Sequence, residues 1–446
     1  MWRIIGTSSF FSYFRSRFRK IGFSFQNLNY KSISEKVYLL HNMKPLYALL
    51  LFLLAFTSMQ GENKPFARGA DVSWCTEMEA DGRKFYNDMG EETDIFVLMK
   101  EIGMNAIRLR VWVNPQRFSY GPWCDKADVV AKAKRAHAQG LDLLIDFHYS
   151  DCFADPGTQT VPLDWNGFTR EQVKAAMAEH TKDVLQALKA EGIEPKWVQV
   201  GNETNSGLLW DYGRIDWNQY GSDRFTDYAE LSNCGYDAVK EVLPDASVIV
   251  HIGGAHNVAD YDCWFFKEFQ EAGGKFDMIG LSHYPDYNKW NSDEEGAVSN
   301  INAARNIAAV GERFGVPVMI VETGFSNYDA EKASTVMKDL FSKTRNLPQC
   351  VGIFYWEPEV DGHWKPAYYD TVGWGAYGMG AFTTSGRPTA ALDAFKDDSS
   401  GIVTVVDDDE SHPVVWYDLQ GRQIISPSNG FFIKKQGHQV SKVILP

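Results

Sequence analysis

From residue 67 to residue 396 the apolar positions follow two alternating rhythms. Short apolar runs read as strands at Arg68–Ser73 (RGADVS), Ala106–Val111 (AIRLRV), Leu143–Tyr149 (LLIDFHY) and Trp197–Gly201 (WVQVG). Four more follow at Ser247–Ile252 (SVIVHI), Asp277–Ser282 (DMIGLS), Val316–Val321 (VPVMIV) and Gly352–Trp356 (GIFYW). Between them, Asp125–Gln139, Arg170–Glu191 and Gly296–Phe314 place apolar residues three and four positions apart, the spacing of one helix face. Eight strands alternating with helices predict an α/β fold, a (β/α)8 TIM barrel over residues 61–396. The rival, a doubly wound open sheet, would carry a Gly-rich phosphate loop after its first strand, and GADVSW is not one.

The two ends break this rhythm. Leu46–Phe56 (LYALLLFLLAF) is an apolar run preceded by Lys44 and followed by small and polar residues at Thr57–Gly61. At 11 residues it is too short for a bilayer that takes about 20 and has the pattern of a secretory signal. Met43 is the expected true start, residues 1–42 an extension, and the mature chain is expected to begin near residue 61. The protein is then exported: periplasmic, at the cell surface or secreted. Beyond residue 396, DDSSG and DDDESHP flank a β-rich appendage, residues 397–446, with strands expected at Ile402–Val406, Val414–Leu419, Phe431–Lys434 and Val440–Leu445. So short a segment buries little core alone.

Charge narrows the partners. The chain of 446 residues has net charge −14, yet residues 1–60 hold eight Lys or Arg against one Glu, +7, so the remainder carries −21. A body this acidic repels phosphate backbones and anionic lipid, which excludes a nucleic-acid partner and suits a neutral ligand. Fourteen Trp and 20 Tyr offer rings that pack on sugars or fill a core; Trp165, Trp210 and Trp290 are open to both uses. Six cysteines allow fifteen pairings, and Cys75, Cys124 and Cys152, each just after a strand, could pair or remain buried thiols. None has zinc-site spacing. No membrane span is expected in the mature chain, and a monomer is expected.

In a barrel, chemistry sits at the C-terminal ends of the strands. There this sequence places Arg108 and Arg110 on strand two, His148-Tyr149-Ser150-Asp151 after strand three and Asn202-Glu203 after strand four. Ser282-His283-Tyr284 follow strand six, Glu322 strand seven and Trp356-Glu357 strand eight. Glu203 and Glu322 face each other across the mouth, and two carboxyls in unequal surroundings can divide a glycosidic cleavage between a proton donor and a nucleophile. Arg108 would keep the nucleophile ionised, and Asn202 would bond a sugar 2-hydroxyl. Metal binding by His148, Asp151 and His283 is a poorer reading, because no two share a helix spacing. Asp151 and Asp155 can cap a loop or bond substrate.

These strand ends resemble the clan A retaining glycoside hydrolases. Within the clan the chain is similar to the arabinogalactan endo-β-1,4-galactanase family, over about residues 67–396. The matching stretches are GADVSWCTEMEADGRKFYNDMGEETDIFVLMKEIGMNAIRLRVWVNP (69–115), DFHYSDCFADPGTQTVP (146–162), VQVGNETNSGLLW (198–210) and VMIVETGFS (318–326). The resemblance implies Glu203 as acid/base and Glu322 as nucleophile, with Arg108, His148, Asn202, His283, Tyr284 and Trp356 around the cleaved sugar; Asp151, at the same rim, is counted with the substrate-binding candidates. It implies galactan or arabinogalactan as substrate and no cofactor. Some members bind calcium through a long acidic loop after strand seven; Thr323–Thr335 is short for that, which speaks against a structural calcium. Asp361–Gly380, with Trp364, Tyr368, Tyr369 and Trp374, departs from the pattern and would shape outer subsites. The alternatives are a clan relative acting on mannan, glucan or xylan, and a non-catalytic sugar-binding barrel, which intact Asn202, Glu203 and Glu322 argue against.

Overall fold

In the computed structural model, the described residues are 66–446 without 119–120, 256–258, 286–292, 397–413, 418–421, 425–429, 437–438 and 446. Eight parallel strands close a barrel: β1 (Ala67–Asp71), β2 (Ala106–Val111), β3 (Asp142–Phe147), β4 (Trp197–Val200), β5 (Ser247–Gly253), β6 (Met278–His283), β7 (Val318–Thr323) and β8 (Cys350–Trp356), with β8 pairing back onto β1. The expected fold is therefore present. Around it lie α1 (Ile95–Ile102), α2 (Lys126–Ala138), α3 (Arg170–Ala190), α4 (Thr226–Val242), α5 (Ala259–Glu271), α6 (Asp293–Phe314) and α7 (Ala330–Thr344). The helix starts are written in the sequence. Asp94, Asp125 and Asp329 each accept a backbone N–H of the first turn, and Thr169 with Gln172 forms a capping box. After β8 the 3-10 segment Ala390–Phe395 packs against both α7 and α1, taking the place of an eighth helix.

Alternation along the strands fills the barrel in two layers. Ala67, Ala106, Leu144, Ile249, Met278, Met319, Val321 and Phe354 meet as an apolar floor, with Trp197 of β4 packed against it. Two to four positions further along the same faces stand Asp71, Arg108, Asp146, Gln199, His251 and Ser282, all buried. Each of these strands thus carries an apolar residue below and a polar one above, a period-2 signal.

β7 departs from that rule. Met319 and Val321 belong to the floor, whereas Val318 and Ile320 pack outward against the helices. Strict alternation would send Glu322 outward as well. Instead Leu281 pairs with Ile320 and its successor Ser282 pairs with Glu322; on the other side Ile353 pairs with Ile320 and Tyr355 with Thr323. β7 therefore carries one residue more than each neighbour, and this bulge turns Glu322 into the barrel.

Among the described residues of the tail, Val414–Tyr417, Gln423–Ile424, Gly430–Gln436 and Gln439–Leu445 form a four-stranded antiparallel sheet. The strand expected at Ile402–Val406 and the apolar run Leu46–Phe56 lie outside the described residues. All six cysteines are free thiols, so of the two readings of Cys75, Cys124 and Cys152 the buried thiol holds.

The floor leaves no slack. A Cβ on Gly69 would lie 2.3 Å from the ring of Phe354, which is fully buried between neighbouring strands. Gly69→Ala is expected to destabilise the barrel by about 1–3 kcal/mol, read as a lower melting temperature. A melt indistinguishable from the parent would contradict this packing.

Candidate active site

The polar layer is built around one cation. Arg108, fully buried within β2, sends Nη1 to Asp71 (2.7 Å) and Nη2 to Asp146 (2.8 Å), Asn202 Oδ1 (2.8 Å) and Glu322 Oε1 (2.9 Å). Strands β1, β3, β4 and β7 are thus tied through a single guanidinium, whose planar fork suits several oxygens at once. Burial would push an unpaired Asp146 up, but Arg108 and then His148 outweigh it and hold the carboxyl below its usual range.

His148 lines the cleft with both nitrogens engaged. Its Nδ1 accepts the N–H of Ala154 (3.0 Å), so the proton sits on Nε2, which meets Asp146 at 2.9 Å. Asn202 gives Nδ2 to the carbonyl of Ala154 (2.7 Å). Glu203, next in sequence, adopts φ 42°, a left-handed backbone disfavoured for a side chain of this kind and found where the surroundings over-determine it. It is half-buried, facing the cleft. Opposite stands Glu322, whose Oε2 accepts the hydroxyl of Tyr284 at 3.1 Å.

The two glutamates titrate as a pair. Burial raises Glu322 to about 8 against the pull of Arg108, with the charges of Glu203, Asp146 and Asp71 raising it further. Burial also raises Glu203, opposed by a hydrogen bond from Ser282 and reinforced by Asp155. When the pair holds one proton, geometry decides its place. Glu322 has a guanidinium and a hydroxyl donating to it, so Glu322 carries the charge and Glu203 the proton.

The cleft above them has a volume of about 230 Å³ and is walled by His148, Phe153, Asp155, Tyr284, Trp356, Tyr369, Trp374 and Tyr377. Trp356 packs edge-on against Tyr377 (4.7 Å between centroids) and tilted against Trp74 (5.2 Å). Trp374, from the loop after β8, is 44% exposed at the rim. Below this wall Arg110 pairs with Glu357 and lies under the rings of Trp74 and Phe153, so it supports the aromatics.

Not every expected residue reaches the cleft. Asp151 accepts the N–H groups of Asn114 and Leu163, both at 2.8 Å, so of its two readings the structure gives it the loop cap. His283 is fully buried behind the wall, its Nε2 2.8 Å from Asn300 of α6. Trp165 is core, Trp210 lies against Arg214, and Trp290 is outside the described residues. Among the described residues, His148, Asp151 and His283 make no metal-binding group. Asp146, Gln199 and His251 escaped the reading of strand ends because they sit inside the strands, and Asp71, the last residue of β1, was not singled out. Their signal was the phase each shares with the floor residue below.

The chain matches the glycosyl hydrolase family 53 model over residues 67–334. It belongs to glycosyl hydrolase family 53. Relatives include the endo-beta-1,4-galactanase of Bacillus subtilis (strain 168), 31% identical over 356 residues, 72% of this chain and 77% of that protein. The arabinogalactan endo-beta-1,4-galactanase of Cellvibrio japonicus is 32% identical over 340 residues, 70% and 85%. Among solved structures, a fungal beta-1,4-galactanase superposes with TM-score 0.63 at 27% identity, covering 74% of this chain and 98% of that one. The Ignisphaera aggregans family 53 catalytic domain gives 0.62 at 26% identity, covering 76% and 97%.

Two outcomes follow for this family 53 site. Arg108→Ala leaves Asp71, Asp146 and Glu322 without their shared cation, and stability should fall by about 3–5 kcal/mol; Arg108→Lys, one ammonium for a fork, should recover little. Chemical denaturation measures both. The raised glutamates make the second. Their folded values lie above the unfolded ~4.3, so their stabilising share is complete below that pH and is lost as pH rises toward about 8. Against Glu203→Gln/Glu322→Gln, the wild-type melting temperature should therefore fall progressively between pH 5 and 8, and parallel curves would refute the shift.

Proposed function

We propose that this protein is an endo-acting retaining glycoside hydrolase that cleaves β-1,4-galactosidic bonds in galactan and type I arabinogalactan. The observation that carries the reading is the placement of Glu203 and Glu322 across one cleft with Arg108 and Tyr284 donating to only one of them. Family 53 membership and galactanase relatives support the substrate class.

The cycle is a double displacement. Glu322 attacks the anomeric carbon while Glu203 gives its proton to the leaving oxygen. Charge leaves Glu322 as the covalent bond forms, so the coulombic burden on Arg108 eases along the first step. Glu203, now ionised, takes a proton from water, which displaces Glu322 from the opposite face of the sugar, the face the leaving group departed from, and restores the β configuration. Asn202 has one amide N–H on Ala154 and the other for the sugar 2-hydroxyl. Trp356 and Trp374 are the apolar faces on which sugar rings stack. The signal-like segment Leu46–Phe56 supports export, which would bring the enzyme to a polymer outside the cell.

A panel of polysaccharides scored for reducing ends tests the substrate class. Galactan should be cut internally, with mannan, glucan and xylan at background; a preference for any of these would overturn the assignment. Proton NMR of early products should show the β anomer first, and an initial α anomer would exclude a nucleophilic Glu322. Glu203→Ala should lose about 10²–10⁴-fold on galactan. With azide and an activated substrate, Glu322→Ala should yield an α-glycosyl azide and Glu203→Ala a β one. Near-parental activity of both variants would end the glycosidase reading.

A further inference from the structure

Glu203 is held at both ends by one histidine that neither the strand-end motifs nor the cleft lining includes. His251 lies on β5, two positions above the floor residue Ile249, and is fully buried. Two N–H donors converge on its Nδ1: the backbone amide of Glu203 at 3.2 Å and the side-chain amide of Gln199 at 2.9 Å. Asn202 Oδ1 also lies 3.1 Å from Nδ1 but already accepts from Arg108 at 2.8 Å and from the Gln199 amide at 3.2 Å, so Nδ1 serves as acceptor for the two N–H groups and the ring proton is on Nε2. Nε2 lies 2.8 Å from the hydroxyl of Ser282 on β6 and donates to it. The serine proton is then free to point onward, toward the Glu203 carboxyl, whose Oε1 lies against Gly253, the cross-strand partner of Ser282, and such a donor lowers the pKa of that carboxyl. His251 is also anchored from behind, since Thr204, the residue after the acid, donates both its N–H (2.8 Å) and its hydroxyl (2.9 Å) to the His251 carbonyl.

We infer that His251 and Ser282 are positioning residues for the general acid/base: the imidazole fixes the left-handed backbone of Glu203 through Nδ1 and orients, through Nε2, the serine hydroxyl that stabilises the ionised Glu203 carboxylate. This rests on the acid/base role given to Glu203 above. The relay has a direction. A donor to the carboxylate favours its charged form, which is the form needed when Glu203 activates water in the second displacement. A protonated His251 would aim an N–H at the two donors on Nδ1 and place a second cation near Arg108, and burial followed by Arg108 pushes its pKa well below the ordinary value. The tautomer is therefore fixed across the working pH range. The charged and titratable groups around Glu203 are Asp155 from the loop after β3, Arg108 on β2, Asp146 on β3, Glu322 on β7 and Tyr284 after β6; Ser282 adds a donor that does not titrate.

The test is the pH profile of kcat/KM on galactan, with Ser282→Ala, Ser282→Thr, His251→Asn and His251→Gln. Ser282→Ala removes the donor to ionised Glu203, so its alkaline limb should move up by about 0.5–1 pH unit, with kcat lowered several-fold. Ser282→Thr keeps the hydroxyl and should return the limb to the parental pH. His251→Asn keeps an acceptor near the Nδ1 position but loses the donor to Ser282, and its limb should move with that of Ser282→Ala. His251→Gln keeps a donor near the Nε2 position and should leave the limb in place. An alkaline limb that Glu203→Gln abolishes but Ser282→Ala leaves unmoved would overturn this inference alone. A limb that survives in Glu203→Gln would instead overturn the role of Glu203.

Discussion

One guanidinium holds the mouth of this barrel together. Arg108 donates to oxygens of Asp71, Asp146, Asn202 and Glu322, from four strands, and losing the cation would leave three buried carboxyls without their shared partner. The cation is outnumbered, and that imbalance does chemical work. With three acids on one arginine, a further carboxyl at the rim cannot ionise at the ordinary carboxylate pH. Glu203 therefore retains a proton while Glu322, in contact with the cation, bears charge. The division of labour that glycosidic cleavage requires comes from charge counting in a closed space.

Much of this was legible in the chain. The eight strands, their parallel order and the rim residues Asn202, Glu203, Tyr284, Glu322 and Trp356 follow from apolar runs ending in polar groups. Other features were not. The aim of Glu322 depends on a bulge, and the register of one strand against two neighbours is a tertiary property absent from VMIVET itself. By alternation alone that glutamate faces the helices. Asp151 and His283 look like rim residues in sequence, yet loop N–H groups claim the first and Asn300 of α6 the second. Conversely Asp71, Asp146 and His251 read as parts of strands, and only the barrel's closure shows that their phase converges on Arg108.

Rigidity is the common thread. Glu203 adopts a backbone that L residues avoid, the Asn202 amide is engaged at both its oxygen and its nitrogen, and His148 has both nitrogens occupied. In the proposed cycle, groups fixed in this way need no reorganisation when charge moves between the glutamates. In the aromatic wall Tyr377 meets both Trp74 and Trp356 edge to face, and the two tryptophans pack tilted against each other. Exposure is reserved for the outer rim, where Trp374 is presented on the loop after β8. The site is stiff where bonds change and more open where a long chain must slide in.

The central claim is that the charge settles on Glu322, turned inward by the bulge and held by Arg108. The most direct test is covalent trapping with an activated galacto-oligosaccharide bearing fluorine at C2 of the reacting sugar, which slows the second displacement more than it slows formation of the ester. Peptide mapping by mass spectrometry should then find the sugar on the peptide containing Val318–Ser326, attached at Glu322. Label on Glu203, or on Asp146, would contradict the account.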